Sequence, residues 1–273
     1  MSWLLKSEAE LIDIGVNLTH SSFDKILVST IKRAKNANIT KLIITGTTEQ
    51  ESAHGVDICR DLSINFPNMI YSTCGVHPHN AKEFNSETLG NLKKIASNNQ
   101  VVAIGETGLD FNRNFSSPKE QEIAFEAQLE LASELQLPVF LHEREAHERQ
   151  LEILKHYRKD LKNAVIHCFT GTKDELFNYL DLGLYIGITG WICDERRGQE
   201  LKKIVKNIPL NRLMIETDAP YLLPRTIEGV SKKQINEPVF LPWIVKEISN
   251  HRTESMLKIA KETTKNAAFF FNL

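Results

Sequence analysis

The sequence predicts an α/β protein with the (β/α)8 architecture of a TIM barrel. Eight short apolar runs recur along the chain, each followed by a turn and then by a helical pattern. The runs are continuously apolar rather than alternating, which indicates strands buried on both faces, as in a parallel sheet covered by helices. The length of 273 residues suits a barrel, since such folds often reach about 250 residues as one domain.

Strands and helices are predicted to alternate from the first strand to a closing helix. We expect the strands at 11–16, 41–45, 69–74, 101–104, 138–141, 164–166, 184–188 and 212–215. Apolar residues spaced i, i+3, i+4 predict helices within 23–36, 49–65, 86–98, 118–135, 146–159 and 253–270. Residues 220–242 contain four prolines and are predicted to form a long loop. No linker-like segment interrupts the pattern, so residues 1–273 are expected to form a single domain.

An open, doubly wound sheet is the competing architecture. Such a sheet usually carries a glycine-rich phosphate loop after its first strand. Here the first strand and its loop read LIDIGVNLTHS, with a single glycine. The closed barrel is therefore favoured.

Composition limits the kinds of protein that this chain can be. Hydrophobic residues make up 41% and charged residues 25%, which predicts a soluble globular protein with a substantial core. The net charge of −2 disfavours a protein that coats nucleic acid non-specifically, but it allows an enzyme with a positive cleft. Four scattered cysteines, no signal-peptide pattern and no membrane-length apolar run lead us to expect a cytoplasmic monomer.

Polar side chains follow the predicted strands where those strands end. In chain order they are His77 and His79 after the third strand, Glu106 after the fourth, His142 after the fifth, His167 after the sixth and Asp218 after the eighth. Strand ends of a (β/α)8 barrel meet on the face that carries the chemistry. Burying such groups without partners costs several kcal/mol each, whereas one divalent cation satisfies them together. We predict a metal centre held by Glu106, His142, His167 and Asp218.

The ligand types limit the ion but do not select one. Imidazole and carboxylate ligands suit Mg²⁺, Mn²⁺, Zn²⁺ or Co²⁺. Asp218 is predicted to be a ligand, the general base for the attacking water, or both. The remaining histidines share no pattern and are interpreted as ordinary surface or core residues: His20, His54, His147, His156 and His251.

Arginines and aromatic rings lie in the same loops as the predicted ligands. Guanidinium groups bind phosphate in a bidentate manner, and rings stack on unpaired bases. Any one of these side chains could be an ordinary residue of the barrel rim, but as a group they predict contact with a single-stranded substrate. The predicted substrate contacts are Phe111, Arg113, Trp191, Arg196, Arg197 and Arg225.

The motifs around these residues resemble the TatD family of metal-dependent nucleases. In order they read GVHPH, GETGLDFNRNF, PVFLH, HCFTG, YIGITGW, CDERRG and IETDAPYLLPR, and the resemblance covers essentially the whole chain. It implies an amidohydrolase-like barrel, Mg²⁺ or a related ion, and 3′→5′ exonuclease action on single-stranded DNA and RNA in DNA repair and degradation. It also implies catalytic roles for Glu106 and Asp218, and places His77 and His79 near the scissile phosphate.

The first strand departs from the pattern of many relatives. Those relatives begin with Asp-x-His-x-His, which supplies two histidines to a metal. Here the segment reads Asp13, Ile14, Gly15, Val16, Asn17, so both histidines are missing. We therefore expect one firm metal site and a second, weaker one that is completed by substrate phosphate.

Two other functions stay open from the sequence. The same barrel and ligands serve amide and ester cleavage, so a deacylase acting on charged tRNA is the alternative. The arginine-bearing loops at 111–115 and 194–198 count against it. A non-catalytic binding protein could keep the metal site as a scaffold, and the intact set of ligands counts against that reading.

Overall fold

Eight parallel strands form the barrel in the computed structural model, which describes residues 4–227, 229–231 and 233–273. Their order in the sheet is their order in the chain, and each pairs in parallel with the next. Strands β1 to β8 span Leu11–Val16, Ile39–Ile44, Ile70–Cys74, Val101–Asp110, Val139–Arg144, Ala164–Ile166, Tyr185–Ile188 and Leu213–Ile215. The predicted (β/α)8 architecture is confirmed.

The helices cover the outside of the sheet and follow the strands in alternation. Helices α1 to α9 span Leu27–Asn36, Glu49–Leu62, Ser86–Ala96, Pro118–Leu135, His147–Tyr157, Lys173–Asp181, Gln199–Ile204, Leu241–Asn250 and Met256–Phe271. Helix α1 begins later than predicted because a separate 3-10 turn, Ser21–Phe23, precedes it. None of the described helices combines the length and the apolar character that a membrane crossing requires.

Backbone hydrogen bonds join the two ends of the sheet at the face where the strands end. The Asp218 N–H donates to the Gly15 carbonyl at 2.9 Å, and the Asn17 N–H donates to the Ala219 carbonyl at 2.7 Å. These bonds connect the end of β1 to the segment that follows β8. They therefore bring Asn17 beside Asp218, two residues that are far apart in the sequence.

The interior of the barrel is filled by apolar side chains at the opposite end. Ile14, Val102 and Phe140 belong to a buried cluster that also contains Phe270 and Phe271 of α9. Side chains filling the barrel make it a packed core and not a pore. Helix α9 thus closes one end, and the polar residues lie at the other.

Strand β4 is longer than predicted and irregular where Glu106 lies. Its register with β5 shifts between Ile104 and Thr107, and the Glu106 N–H donates to the Gly46 carbonyl at 2.7 Å. Gly105 has a φ of +137°, and a Cβ there would lie 2.2 Å from the Phe140 carbonyl oxygen. Only glycine is compatible with this backbone path, which takes Glu106 out of the regular ladder.

Buried glutamines of α4 hydrogen-bond to the backbone beside this irregular stretch. Gln128 accepts from the Val76 N–H at 2.7 Å and donates to the Val76 carbonyl at 3.1 Å. Gln121 accepts from the Asp110 N–H at 2.8 Å. Buried backbone groups without partners are costly. The glutamines therefore allow the strand ends near the site to depart from regular pairing.

Candidate active site

A cavity of about 1030 Å³ lies at the face where the strands end. Its lining includes all six of the strand-end residues predicted for the site: His77, His79, Glu106, His142, His167 and Asp218. Residues from five different strand ends thus share one cavity. This is the face of the barrel from which catalysis is expected.

One carboxylate oxygen forms the centre of the polar cluster. Glu106 Oε1 lies 2.8 Å from His142 Nδ1, 2.8 Å from His167 Nε2 and 3.3 Å from His77 Nε2. His77 Nε2 and His142 Nδ1 are 3.2 Å apart. Three imidazoles from three strand ends therefore point at the same small region, and the carboxylate itself is buried.

The hydrogen-bond partners of His167 indicate that this region needs an additional positive charge. His167 Nδ1 lies 3.3 Å from Glu216 Oε2, so Nδ1 carries the proton that the carboxylate accepts. A neutral imidazole has one N–H, and its Nε2 lone pair would therefore face the Glu106 oxygen at 2.8 Å. Two acceptors at that distance repel each other. A cation between them, or a second proton on His167, removes the conflict.

His142 presents the same conflict. Its Nδ1 lies 2.8 Å from Glu106 Oε1, and its Nε2 lies 3.4 Å from Asp110 Oδ2. One proton cannot serve both carboxylates, so a neutral His142 also directs a lone pair at an acceptor. Imidazole nitrogens backed by carboxylates are the usual arrangement around a protein-bound metal ion. The donor set therefore fits a divalent cation at this point.

The pKa shifts of His167 and Glu106 also indicate that positive charge is required beside the Glu106 carboxylate. Burial alone would lower the pKa of His167, but the neighbouring Glu106 and Glu216 outweigh it and hold that pKa well above its usual range. Burial would raise the pKa of Glu106, yet His167 and His77 hold it well below its usual range. Without a metal, protons on the imidazoles compensate the ionised Glu106.

His77 differs from the other two imidazoles of the cluster. Its Nδ1 accepts the His79 backbone N–H at 3.1 Å, and burial lowers its pKa to about 4. The proton of neutral His77 therefore lies on Nε2, which can donate to Glu106 at 3.3 Å. Although His77, Glu106 and His142 lie close enough to hold an ion, this tautomer makes His77 a hydrogen-bond donor and not a ligand.

Asp218 adds a group that titrates near neutrality. Asn17 Nδ2 donates to Asp218 Oδ1 at 2.9 Å, and burial raises the pKa of Asp218 to about 7. Its φ of +54° is uncommon for a residue with a side chain. The Asn17 amide therefore orients Asp218.

Glu216 and Asp110 are the supporting residues that sequence reasoning missed. Glu216 is fully buried, and its Oε1 accepts the Cys168 N–H at 2.5 Å while Oε2 contacts His167. Asp110 Oδ2 lies 2.6 Å from His79 Nε2. The signal for Glu216 was its position next to Thr217 and Asp218 in the motif IETDAP; only the fold reveals its partner.

Two glycines leave the space that the Glu216 carboxylate occupies. A Cβ on Gly15 would lie 2.4 Å from Glu216 Oε2, and a Cβ on Gly187 would lie 2.7 Å from Glu216 Oε1. Gly15 is the position of the first missing histidine. In this chain, the position of Glu216 behind His167 therefore depends on the absence of a side chain at Gly15.

The predicted substrate contacts divide into two groups. Trp191 lines the main cavity, and it also lines a second cavity of about 380 Å³ together with Arg197 and Arg225. The remaining three lie outside the linings of both described cavities: Phe111, which packs partly buried against the core, and Arg113 and Arg196, which are exposed.

Other side chains that line the main cavity were not among the predicted contacts. The His20 ring lies edge-on to the Tyr221 ring, with centroids 5.7 Å apart, and Phe115 packs edge-on against His79 at 4.9 Å. His20, which the sequence suggested to be an ordinary histidine, lies in the cavity wall. Its isolated position in the sequence carried no signal of this.

Known proteins are similar to this chain in sequence and in fold. Residues 12–272 match the family described as TatD related DNase. A relative from Erwinia tasmaniensis named 3′-5′ ssDNA/RNA exonuclease TatD is 52% identical over 263 residues, which cover 96% of this chain and 100% of the relative.

Solved structures agree with this match. A TatD family hydrolase from Entamoeba histolytica superposes with a TM-score of 0.87 at 25% identity, covering 98% of this chain and 99% of its own. A TatD homologue from Escherichia coli K12 gives 0.84 at 27% identity, covering 96% and 98%. The resemblance of the motifs is confirmed, and the chain belongs to the family of TatD-related DNases.

Proposed function

We propose that this chain is a divalent-metal-dependent exonuclease that removes nucleotides in the 3′→5′ direction from single-stranded DNA and RNA. The observation that carries the proposal is the convergence of His142 and His167 lone pairs on the Glu106 carboxylate, which calls for a cation. The name of the Erwinia relative, with which this chain shares half its residues, supports the substrate and the direction.

Glu106, His142, His167 and Asp218 would hold the ion, and Mg²⁺ is the ion we propose. When bound, a divalent cation supplies Lewis-acid stabilisation of the charge that develops on a phosphodiester during hydrolysis. The loss of both histidines at Gly15 and Asn17 supports one firm site and a weaker second one.

The residues of the chain supply the other components of hydrolysis. Asp218, which lines the cavity and is oriented by Asn17 at 2.9 Å, is suited to accept the proton of the attacking water. His77 and His79 line the same cavity, so their imidazoles are suited to lie beside a bound phosphate. Trp191, at the cavity wall, is suited to stack on an unpaired base.

The proposal includes the oligomeric state and the cellular location of the protein. We expect a cytoplasmic monomer, in agreement with the composition, and no feature of the site requires a second subunit. A net charge of only −2 is consistent with substrate binding that is confined to the cavity. Gel filtration with light scattering would measure the oligomeric state directly.

A digestion time course tests the proposal. Single-stranded DNA and RNA, labelled at either end, are incubated with the protein and with Mg²⁺, Mn²⁺, Zn²⁺ or Co²⁺ in turn. We expect shortening from the 3′ end, and loss of this activity in Glu106→Gln and His142→Ala proteins that retain their far-UV circular dichroism.

The matched control is Glu152→Gln, because Glu152 is an exposed glutamate on α5, outside the cavity lining. That variant should cleave like the unaltered chain. Full activity of Glu106→Gln would reject the site assignment. Cleavage of an aminoacyl ester, with no action on nucleic acid under any of the four metals, would instead support the deacylase alternative.

A further inference from the structure

A second cavity adjoins the main one and has no role in the chemistry described so far. Its volume is about 380 Å³, and Trp191 and Leu222 line both cavities. Cavities of roughly 300–1,000 Å³ are the usual size of small-molecule sites. The two spaces therefore share walls.

The chemistry of the second cavity suits a nucleotide. The Arg197 guanidinium carbon lies 5.3 Å from the centre of the Trp191 ring, which forms a stacked cation–π platform. Arg225 Nε lies 3.1 Å from Asp194 Oδ2, so this second guanidinium is oriented at the cavity wall. Aromatic faces with arginines are how proteins bind unpaired bases and the phosphates between them.

Apolar side chains contribute to the remaining walls of the second cavity. Leu223, Pro224 and Ile227 belong to the segment after β8 and line this cavity but not the main one. These apolar side chains can accommodate the flat face of a base, whereas Asp194, which also lines the cavity, forms an ion pair with Arg225. The space thus combines a surface for the base with charges for the phosphate.

We propose that the second cavity, lined by Trp191, Arg197, Leu223 and Arg225, is a subsite for one unpaired nucleotide of the substrate strand, next to the nucleotide at the metal cluster. This inference rests on the proposed nuclease function. In this arrangement Trp191 lies between two adjacent nucleotides. Arg197 and Arg225 contact the phosphodiester next to the one that is cleaved.

Fluorescence of a base analogue tests the subsite without catalysis. Short single-stranded oligonucleotides carry one 2-aminopurine, moved stepwise from the 3′ end, and are bound to the Glu106→Gln protein. We expect strong quenching at one position near that end. In the same background, Arg225→Gln and Leu223→Phe should each weaken that quenching and lower the affinity about 5- to 100-fold, the effect of losing one stacked base.

The control is Trp243→Phe, because Trp243 is a tryptophan of α8 outside the linings of both cavities. That substitution should leave the quenching unchanged. Equal quenching at every position, or no effect of Leu223→Phe and Arg225→Gln on a position that is quenched, would overturn the subsite. The digestion assay on the unaltered chain is run in parallel: cleavage without a position-specific signal rejects only the subsite, whereas absence of cleavage rejects the nuclease function.

Discussion

Single residues determine whether the proposed metal site can bind a cation. His167 receives its orientation from Glu216, at 3.3 Å, and this contact fixes the proton on Nδ1. The lone pair of Nε2 is thereby directed at the cation position beside Glu106. Carboxylates that act on a metal through a histidine in this way usually affect affinity strongly.

Glu216→Gln should weaken metal binding about 10- to 100-fold, the effect usual for such supporting residues. The neutral amide no longer increases the basicity of His167, although it can still accept the Nδ1 proton. Titration calorimetry with Mn²⁺ measures the change, and circular dichroism checks the fold. The exposed Glu200→Gln is the control. Unchanged affinity in Glu216→Gln would show that Glu216 does not act through His167.

Gly15→Ala should impair the same site through sterics alone. Its Cβ would lie 2.4 Å from Glu216 Oε2, so the carboxylate must move and lose its contacts with His167 and Cys168. We expect weaker metal binding and a lower melting temperature.

Gly90→Ala is the matched control for this steric effect. Gly90 lies in α3, and a Cβ there meets nothing within 4 Å. The substitution should leave metal binding unchanged and stabilise the protein by about 0.5–1 kcal/mol. If Gly15→Ala binds metal like the unaltered chain, Glu216 has room to adapt and the proposed coupling is wrong.

At the scale of elements, β4 and the glutamines of α4 position Glu106. The register shift before Thr107 removes backbone groups from the ladder, and Gln128 supplies partners for the neighbouring Val76 and for the Thr107 hydroxyl. A helix therefore supports, from outside the barrel, an irregular strand that carries the central carboxylate.

Gln128→Met should destabilise the protein by about 1–3 kcal/mol for each buried group left without a partner. Methionine has a similar size but cannot serve the Val76 N–H and carbonyl. Urea denaturation measures the free energy of unfolding. Gln50→Met, at an exposed position of α2, should change it by no more than about 0.5 kcal/mol. Equal stabilities of the two variants would contradict this role of Gln128.

At the scale of the whole molecule, the polar site affects stability as a function of pH. Burial raises the pKa of Asp13 to about 8 and that of Asp218 to about 7. The folded chain then holds protons that the unfolded chain releases, so stability falls as pH rises towards these values. Burial lowers the pKa of His77 from 6.5 to about 4. This shift makes stability rise with pH, but only below pH 6.5.

Between pH 6.5 and pH 8, the metal-free protein should therefore lose stability, by up to roughly 1.4 kcal/mol per titrating proton and pH unit. Differential scanning calorimetry in the presence of a chelator measures this fall. Saturating Mg²⁺ should reduce it, because the ion binds more tightly as the ligands lose protons. A melting temperature that is constant or rises over this range without metal would contradict the assignment of the buried protons.

The sequence was sufficient to predict the barrel and to group the six strand-end residues that share the main cavity. Continuously apolar strands alternating with helices are a strong local signal, and all eight strands overlap their predicted positions, although β4 continues to Asp110. His142, His167 and Asp218 could be predicted as site residues because strand ends meet on one face of such a barrel, whatever the details of packing. The family motifs then indicated the chemistry.

The tertiary structure alone decided which side chains support that site and which ones line the cavity. Glu216 and Asp110 acquire their roles from histidines on other strands, and no spacing in the sequence encodes those contacts. Arg113, which follows Glu106, and Arg196, in the loop after β7, are exposed and line neither cavity, whereas His20 lies in the cavity wall. Local pattern specifies where a strand ends, but the direction of a side chain beyond that point depends on partners that only folding brings together.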